Sequence, residues 1–157
     1  MRKIFVFLIL VTIVLYCFES CDKPKDTNPS PTSNNQSITP SFSLNFEGKT
    51  WNAVSDSITA VDLVPAININ ADGKGNSFSM EIGGDSVATY TVDYSTHQNT
   101  TAFTTPPNNY YIMMTGSITI TAINTVSATG SFSGYFRNMN TGADSLGQGT
   151  FQVKLIK

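Results

Sequence analysis

Gly116-Ser117-Ile118-Thr119-Ile120-Thr121 and, further along, Gly130-Ser131-Phe132-Ser133-Gly134-Tyr135-Phe136 place large apolar side chains on alternating positions, with hydroxyl-bearing residues between them. A period of two puts Ile118, Ile120, Phe132 and Phe136 on one side of a pleated strand, and Ser117, Thr119, Ser131 and Ser133 on the other. β-branched and aromatic residues are also the ones that suit a pleated, half-buried surface. Both segments therefore read as strands with one core-facing side.

The same rhythm extends in both directions. Phe42, Leu44 and Phe46 alternate with Ser and Asn, and Gly48-Lys49-Thr50 turns the chain toward Trp51 and Ala53. Further strands are predicted over residues 58–63, 67–71, 78–82, 88–92, 110–114, 118–122, 126–136 and 151–156, with Trp51 and Phe151 joining the expected core. Ala71-Asp72-Gly73-Lys74-Gly75-Asn76 reads as a hairpin tip, and Gly83-Gly84-Asp85 and Ala122-Ile123-Asn124-Thr125 as further turns. No segment carries the period of an amphipathic helix. The expected fold is all-β: an antiparallel β-sandwich or flattened barrel of about nine to ten strands. Parallel pairing is not expected, because it needs crossover helices.

Length and composition bound the rest. The chain has 157 residues, of which 40% are hydrophobic, enough for one ordinary core. Only 13% are charged, and nine Lys plus Arg against eleven Asp plus Glu leave a net charge of -2. A nucleic-acid surface needs clustered cations, and Lys23, Lys25, Lys49, Lys74, Arg137, Lys154 and Lys157 are scattered. One His and two Cys rule out most metal cages and any disulfide framework, and no cofactor is expected.

The N-terminus carries an address. Arg2 and Lys3 precede an apolar run over residues 4–16, a secretory h-region shorter than the roughly 20 residues a membrane-crossing helix needs. Ser20-Cys21 follows, and the segment resembles a loose bacterial lipobox, with Phe18 where an aliphatic residue is usual and Glu19 also atypical. Residues 1–20 are thus expected to be a cleaved lipoprotein signal peptide, with Cys21 lipidated and holding the protein to a membrane. Residues 21–41, rich in Pro, Ser, Thr and Asn with Ile38 the sole large apolar residue, read as a disordered tether. Residues 42–157 form the expected β-sandwich domain.

One connection departs from the short turns: Asp93-Tyr94-Ser95-Thr96-His97-Gln98-Asn99-Thr100-Thr101-Ala102-Phe103-Thr104-Thr105-Pro106-Pro107-Asn108-Asn109. About 17 residues exceed the usual limit for a structureless connection, so the stretch is functional, mobile, or conceals a strand near residues 101–104. It holds the chain's sole His. Tyr94, His97, Phe103, Tyr110 and Tyr111 are the candidate ligand-binding residues; Tyr110 and Tyr111, adjacent on a strand, must face opposite ways.

Catalytic constellations are not apparent. Gly130-Ser131-Phe132-Ser133-Gly134 has Phe at its centre, where a hydrolase elbow needs Ser. A Ser-His-Asp set would require His97 and Asp93 together with a Ser that nothing singles out. Asn138-Met139-Asn140-Thr141-Gly142-Ala143-Asp144 alternates oxygen ligands as calcium loops do but lacks the closing bidentate Glu, and reads as a polar hairpin loop.

Residues 43–157 resemble an uncharacterised family of Bacteroidetes-type lipoproteins, a domain of unknown function. The likeness rests on Phe46-Glu47-Gly48-Lys49-Thr50-Trp51-Asn52-Ala53, on the residue 116–121 segment, and on residues 130–136 followed by Gly149-Thr150-Phe151-Gln152-Val153. It implies anchorage in the cell envelope and no assigned activity. In that group an acidic patch after the lipidated Cys promotes surface export; Asp22-Lys23-Pro24-Lys25-Asp26 interleaves charges, which leans toward a periplasm-facing protein, expected on the outer membrane, while Asp22 would favour the inner membrane under enterobacterial sorting. The same group gives Asp56-Ser57-Ile58, Asp85-Ser86-Val87 and Asp144-Ser145-Leu146 a likeness to short O-glycosylation sites. The leading expectation is a non-enzymatic structural or interaction module with a protein or glycan partner. The alternative is a small-ligand or glycan-binding module using residues 93–109 and nearby tyrosines.

Overall fold

The computed structural model describes residues 38–63 and 65–157; the expected signal peptide, Cys21 and most of the tether lie outside the described residues. Ten strands follow in order: β1 (Ser41–Phe46), β2 (Lys49–Asn52), β3 (Ile58–Asp62), β4 (Ile67–Gly73), β5 (Asn76–Ile82), β6 (Ala88–Asp93), β7 (Thr101–Thr105), β8 (Asn109–Ile123), β9 (Ser127–Asn138) and β10 (Asp144–Ile156). Two single-turn 3-10 segments, Ser55–Ser57 and Tyr94–Thr96, are the only helical pieces among the described residues.

The strands close into a seven-stranded barrel, β3-β4-β5-β7-β8-β9-β10 and back to β3. β1 and β2 extend from β10, and β6 extends from β8. The long strands β8, β9 and β10 therefore belong to a second run of pairing, β2-β1-β10-β9-β8-β6. The all-β expectation holds. Its antiparallel rule fails at one place: Leu155 and Ile156 pair in parallel with Ala60 and Val61. That pairing needs no crossover helix, because most of the domain is itself the connection between β3 and β10.

Alternation does what the sequence asks of it. Ile118, Ile120, Phe132, Phe136, Phe151 and Trp51 are all buried, in one cluster with Phe42, Phe46 and Phe78. Aromatic rings meet at close range, Phe42 on Phe78 at 4.5 Å and Phe78 on Phe132 at 5.0 Å between centroids. Trp51 Nε1 donates to the Gly73 carbonyl at 3.0 Å, so its one polar atom is satisfied at the core's edge.

Two boundaries differ from expectation for one reason. Residues 110–114 and 118–122 are a single strand, and β10 begins at Asp144 rather than near residue 151. On the inward side of the missed stretches stand Gly116, Gly147 and Gly149. Their places are taken up by neighbouring atoms, rings of other strands at Gly147 and Gly149 and the β9 backbone with Met113 at Gly116: a Cβ on Gly147 would lie 2.7 Å from the Phe136 ring. The large ring and the bare backbone fit together, so no apolar residue marks the strand. The hairpin tip is as read, Lys74 and Gly75 at φ 52° and 78° joining β4 to β5.

Candidate functional site

Strand β8 has two different neighbours along one edge. Asn109–Ile112 pairs with β7, and Thr115–Ile120 pairs with β6. Met113 and Met114 have no registered partner on that side, and the ladder with β9 shifts register between Met113 and Thr115. β6 and β7 thus part company at this point, and residues 94–100 cross the split.

That crossing segment is tied down by short polar bonds. Asp93 accepts from the Ser95 amide at 2.9 Å and from Ser95 Oγ at 2.7 Å, starting the 3-10 turn. These two bonds hold the Asp93 carboxyl below its usual range, the hydroxyl contributing most. His97 and Asn99 then take left-handed backbone angles, φ 56° and 55°. Asn99 acts as a clamp: its Nδ2 donates to Thr91 O at 2.8 Å, and its Oδ1 accepts from the Gly83 amide at 2.7 Å. The Glu81 amide reaches Thr100 O at 2.8 Å, carrying the chain into β7.

Beneath the crossing lies a recess of about 320 Å³. Val92, Ile112 and Met113 give it apolar walls, Tyr94 and Tyr110 aromatic ones, and no side chain charged at neutral pH lines it. Thr101 also lines it. Thr101 is 1% exposed, and its Oγ1 is the sole buried side-chain nitrogen or oxygen without a hydrogen-bond partner among the described residues.

Of the five residues singled out from sequence, the fold brings together two. Tyr94 and Tyr110, 38% and 41% exposed, line the recess. His97 stays outside it, its ring 5.8 Å from that of Tyr94. Phe103 and Tyr111 face inward and pack on Phe46 at 5.8 and 4.8 Å, so they are core residues. The opposite facing of Tyr110 and Tyr111 is as expected, and the strand suspected near residues 101–104 is β7. Thr101, Gln98 and Met113 were missed. A Thr among many Thr gives no signal in sequence, because its difference is burial without a partner.

Other sequence candidates resolve into scaffold. Asp93 is bonded to Ser95 and not to His97. In the loop over residues 138–144, Asn138 Oδ1 accepts from the Asn140 and Thr141 amides, and Asp144 takes a two-pronged bond from Arg137 at 2.8 and 2.9 Å. That bond raises the Arg137 pKa and lowers that of Asp144.

A second feature lies on the outside of the six-strand run. Two ranks cross it by register: Thr91, Ser117, Ser133, Gln148, Asn45, Thr50, and beside them Thr89, Thr119, Ser131, Thr150, Ser43, Asn52. Every one is a neutral hydrogen-bonding residue. They frame a shallow depression of about 410 Å³. Thr89 bonds Thr119 at 3.0 Å and Ser43 bonds Thr150 at 3.1 Å.

No curated protein and no solved structure matches the chain. A family model does match over residues 38–153, nearly the whole described domain, and the chain belongs to that family, the domain of unknown function DUF6252.

Proposed function

We propose that the protein is a lipid-anchored cell-envelope module without catalytic activity, hung from a bacterial membrane by an acylated Cys21 and serving as a structural or interaction domain. One observation carries this reading: a charged start at Arg2-Lys3, an apolar run over residues 4–16 and Ser20-Cys21 just beyond it. Acyl chains contribute about 0.8 kcal/mol per buried methylene, so two or three chains anchor the protein stably where one would bind only reversibly. The interleaved charges after Cys21 favour a domain that faces the periplasm. Fractionation of a Cys21→Ala variant tests this: release from the membrane fraction is expected, and retention there would overturn the anchor.

The recess supports a second reading, a small-ligand or glycan-binding module. Tyr94 and Tyr110 converge on one partly open recess that mixes apolar walls with neutral polar residues, a combination that small-molecule sites share. A ligand that binds the folded state raises its melting temperature by mass action, so a thermal-shift screen over sugars and peptides separates a binding module from a purely structural one.

A further inference from the structure

We infer that the end of the barrel from which the N-terminal segment leads away is a lipid-facing rim, its exposed aliphatic tips lying against the bilayer surface that holds Cys21; this rests on the anchored reading above. Register, composition and reach each support it.

Register gathers the rim. The Leu155 amide donates to Val126 O at 2.9 Å, so the turn between β8 and β9 sits beside the end of β10. Ile156 pairs with Val61, Lys157 Nζ stands 3.8 Å from Asp62, and Leu63 follows at once. Ala88 pairs with Ile120, which sets Val87, one residue earlier, level with the closing residues of β8. The N-terminal segment leaves at the same place. β1 gives up the edge of β10 at Gln152 and β3 takes over at Leu155, so residues 38–40 depart at the level of Val153 and Lys154.

Composition marks this end as different. Leu63, Val87 and Val126, each in a different connection, and Ile156 are all about half exposed or more. Turns are ordinarily built from Gly, Asn, Asp, Ser and Pro, and a single exposed aliphatic residue needs no explanation. Three connections of one end that each carry one form a pattern. The turns at the opposite end, over residues 47–48, 74–75, 106–108 and 139–142, are polar or Gly- and Pro-rich, with Met139 their one exposed large apolar side chain. They are tied together by Asn140 Nδ2 on Asn108 O at 2.9 Å and by Ser145 Oγ on Glu47 Oε1 at 2.9 Å. At the rim Lys154 and Lys157 flank Ile156, and an ammonium on an aliphatic stem suits the boundary where lipid meets water.

Reach makes a weak surface sufficient. Cys21 and Ile38 are 17 residues apart, at most about 60 Å of chain. A patch tethered that closely has an effective concentration in the millimolar range, so modest apolar contact keeps it seated. The 13 residues of β10 put the opposite end about 40 Å farther away.

The test uses the processed, acylated chain in vesicles of phosphatidylethanolamine and phosphatidylglycerol. Val126→Cys, Val87→Cys and, at the opposite end, Met139→Cys are each labelled with a maleimide dye, and quenching by lipid carrying a headgroup nitroxide is read. Quenching at positions 126 and 87 is expected to exceed that at position 139 several-fold. Adding Leu63→Ser and Ile156→Ser is expected to bring the signal at position 126 down toward that at 139, with the urea midpoint unchanged because both side chains are exposed.

Equal quenching at the two ends of a vesicle-bound, acylated chain would overturn the rim and leave the anchor standing. Quenching at position 126 that ignores the two serines would overturn it as well, since tethering alone would then account for the signal. Energy transfer between labelled copies that persists on dilution into excess lipid would make a second copy the occupant and overturn the lipid assignment. A processed chain without acyl mass, which the dye labels at Cys21 with no cysteine introduced, would overturn the anchor and the rim with it.

Discussion

The recess at the β6–β7 split and the outer face of the six-strand run draw on the same neutral, hydroxyl-bearing residues, and they differ in their access to water. On the outer face a threonine such as Thr50 meets solvent whether or not anything is bound. Beneath the recess, on the core face of β7, the Thr101 hydroxyl meets neither solvent nor a protein partner. Composition is therefore a poor guide to what a threonine does for stability, because the same hydroxyl is neutral in one region and destabilising in the other. The two also differ underneath: the outer face is backed by glycines pressed against rings and backbone, while the recess sits where a ladder comes apart.

The largest effect is expected from the backing. A Cβ on Gly134 would collide with the Thr115 carbonyl oxygen and lie 2.8 Å from Met113 Sδ. Gly134→Val should cost about 3 kcal/mol or more in urea unfolding, whereas Ser133→Val, one residue away on the outward side, should change stability by less than ~0.5 kcal/mol. A well-tolerated Gly134→Val would break the claim that this part of the sheet has no slack.

A matched pair of substitutions sharpens the contrast itself. Thr101→Val should stabilise the ligand-free protein by about 1 kcal/mol, seen as a higher urea midpoint at unchanged slope, while Thr50→Val should stay within ~0.5 kcal/mol of the parent. Equal effects at the two sites would erase the distinction.

The smallest effect concerns the segment over the recess. Because its bonds with Ser95 lower the folded-state pKa of Asp93, the stabilisation they give is fully present above the unfolded value of ~3.9. It is lost as pH falls through the lowered folded value. Amide protection at Ser95 should therefore hold near pH 5 and decline toward about pH 2, and Asp93→Asn should flatten that decline. A decline identical in parent and variant would show that something other than this carboxylate secures the crossing.

Much of the scaffold was legible because period two is a direct readout of which side faces the core. Phe42, Leu44, Phe46, Ile118, Ile120 and Phe132 announce themselves. The code fails where the inward residue is glycine, as at Gly116, Gly147 and Gly149: the rings that fill the last two places, Phe136 and Phe132, stand on β9, and Gly116 is pressed against the β9 backbone and the Met113 side chain. The recess was half legible. A connection too long for a turn pointed to the right segment, and Tyr94 and Tyr110 were within it or beside it. Phe103 and Tyr111 looked equivalent to them until β7 assigned each an inward register, and Thr101 became distinctive only through burial.

The parallel pairing of Leu155 and Ile156 with Ala60 and Val61 is two residue pairs long and joins the ends of the barrel. It acts as a clasp fastened by the final turn of the ring. A nascent or exported chain that has not yet delivered residue 155 can form every other strand pairing and is still open at this seam, with the β3 edge bare. Final closure thus waits for the C-terminal residues, so a tag or truncation there weighs directly on the seam of the ring.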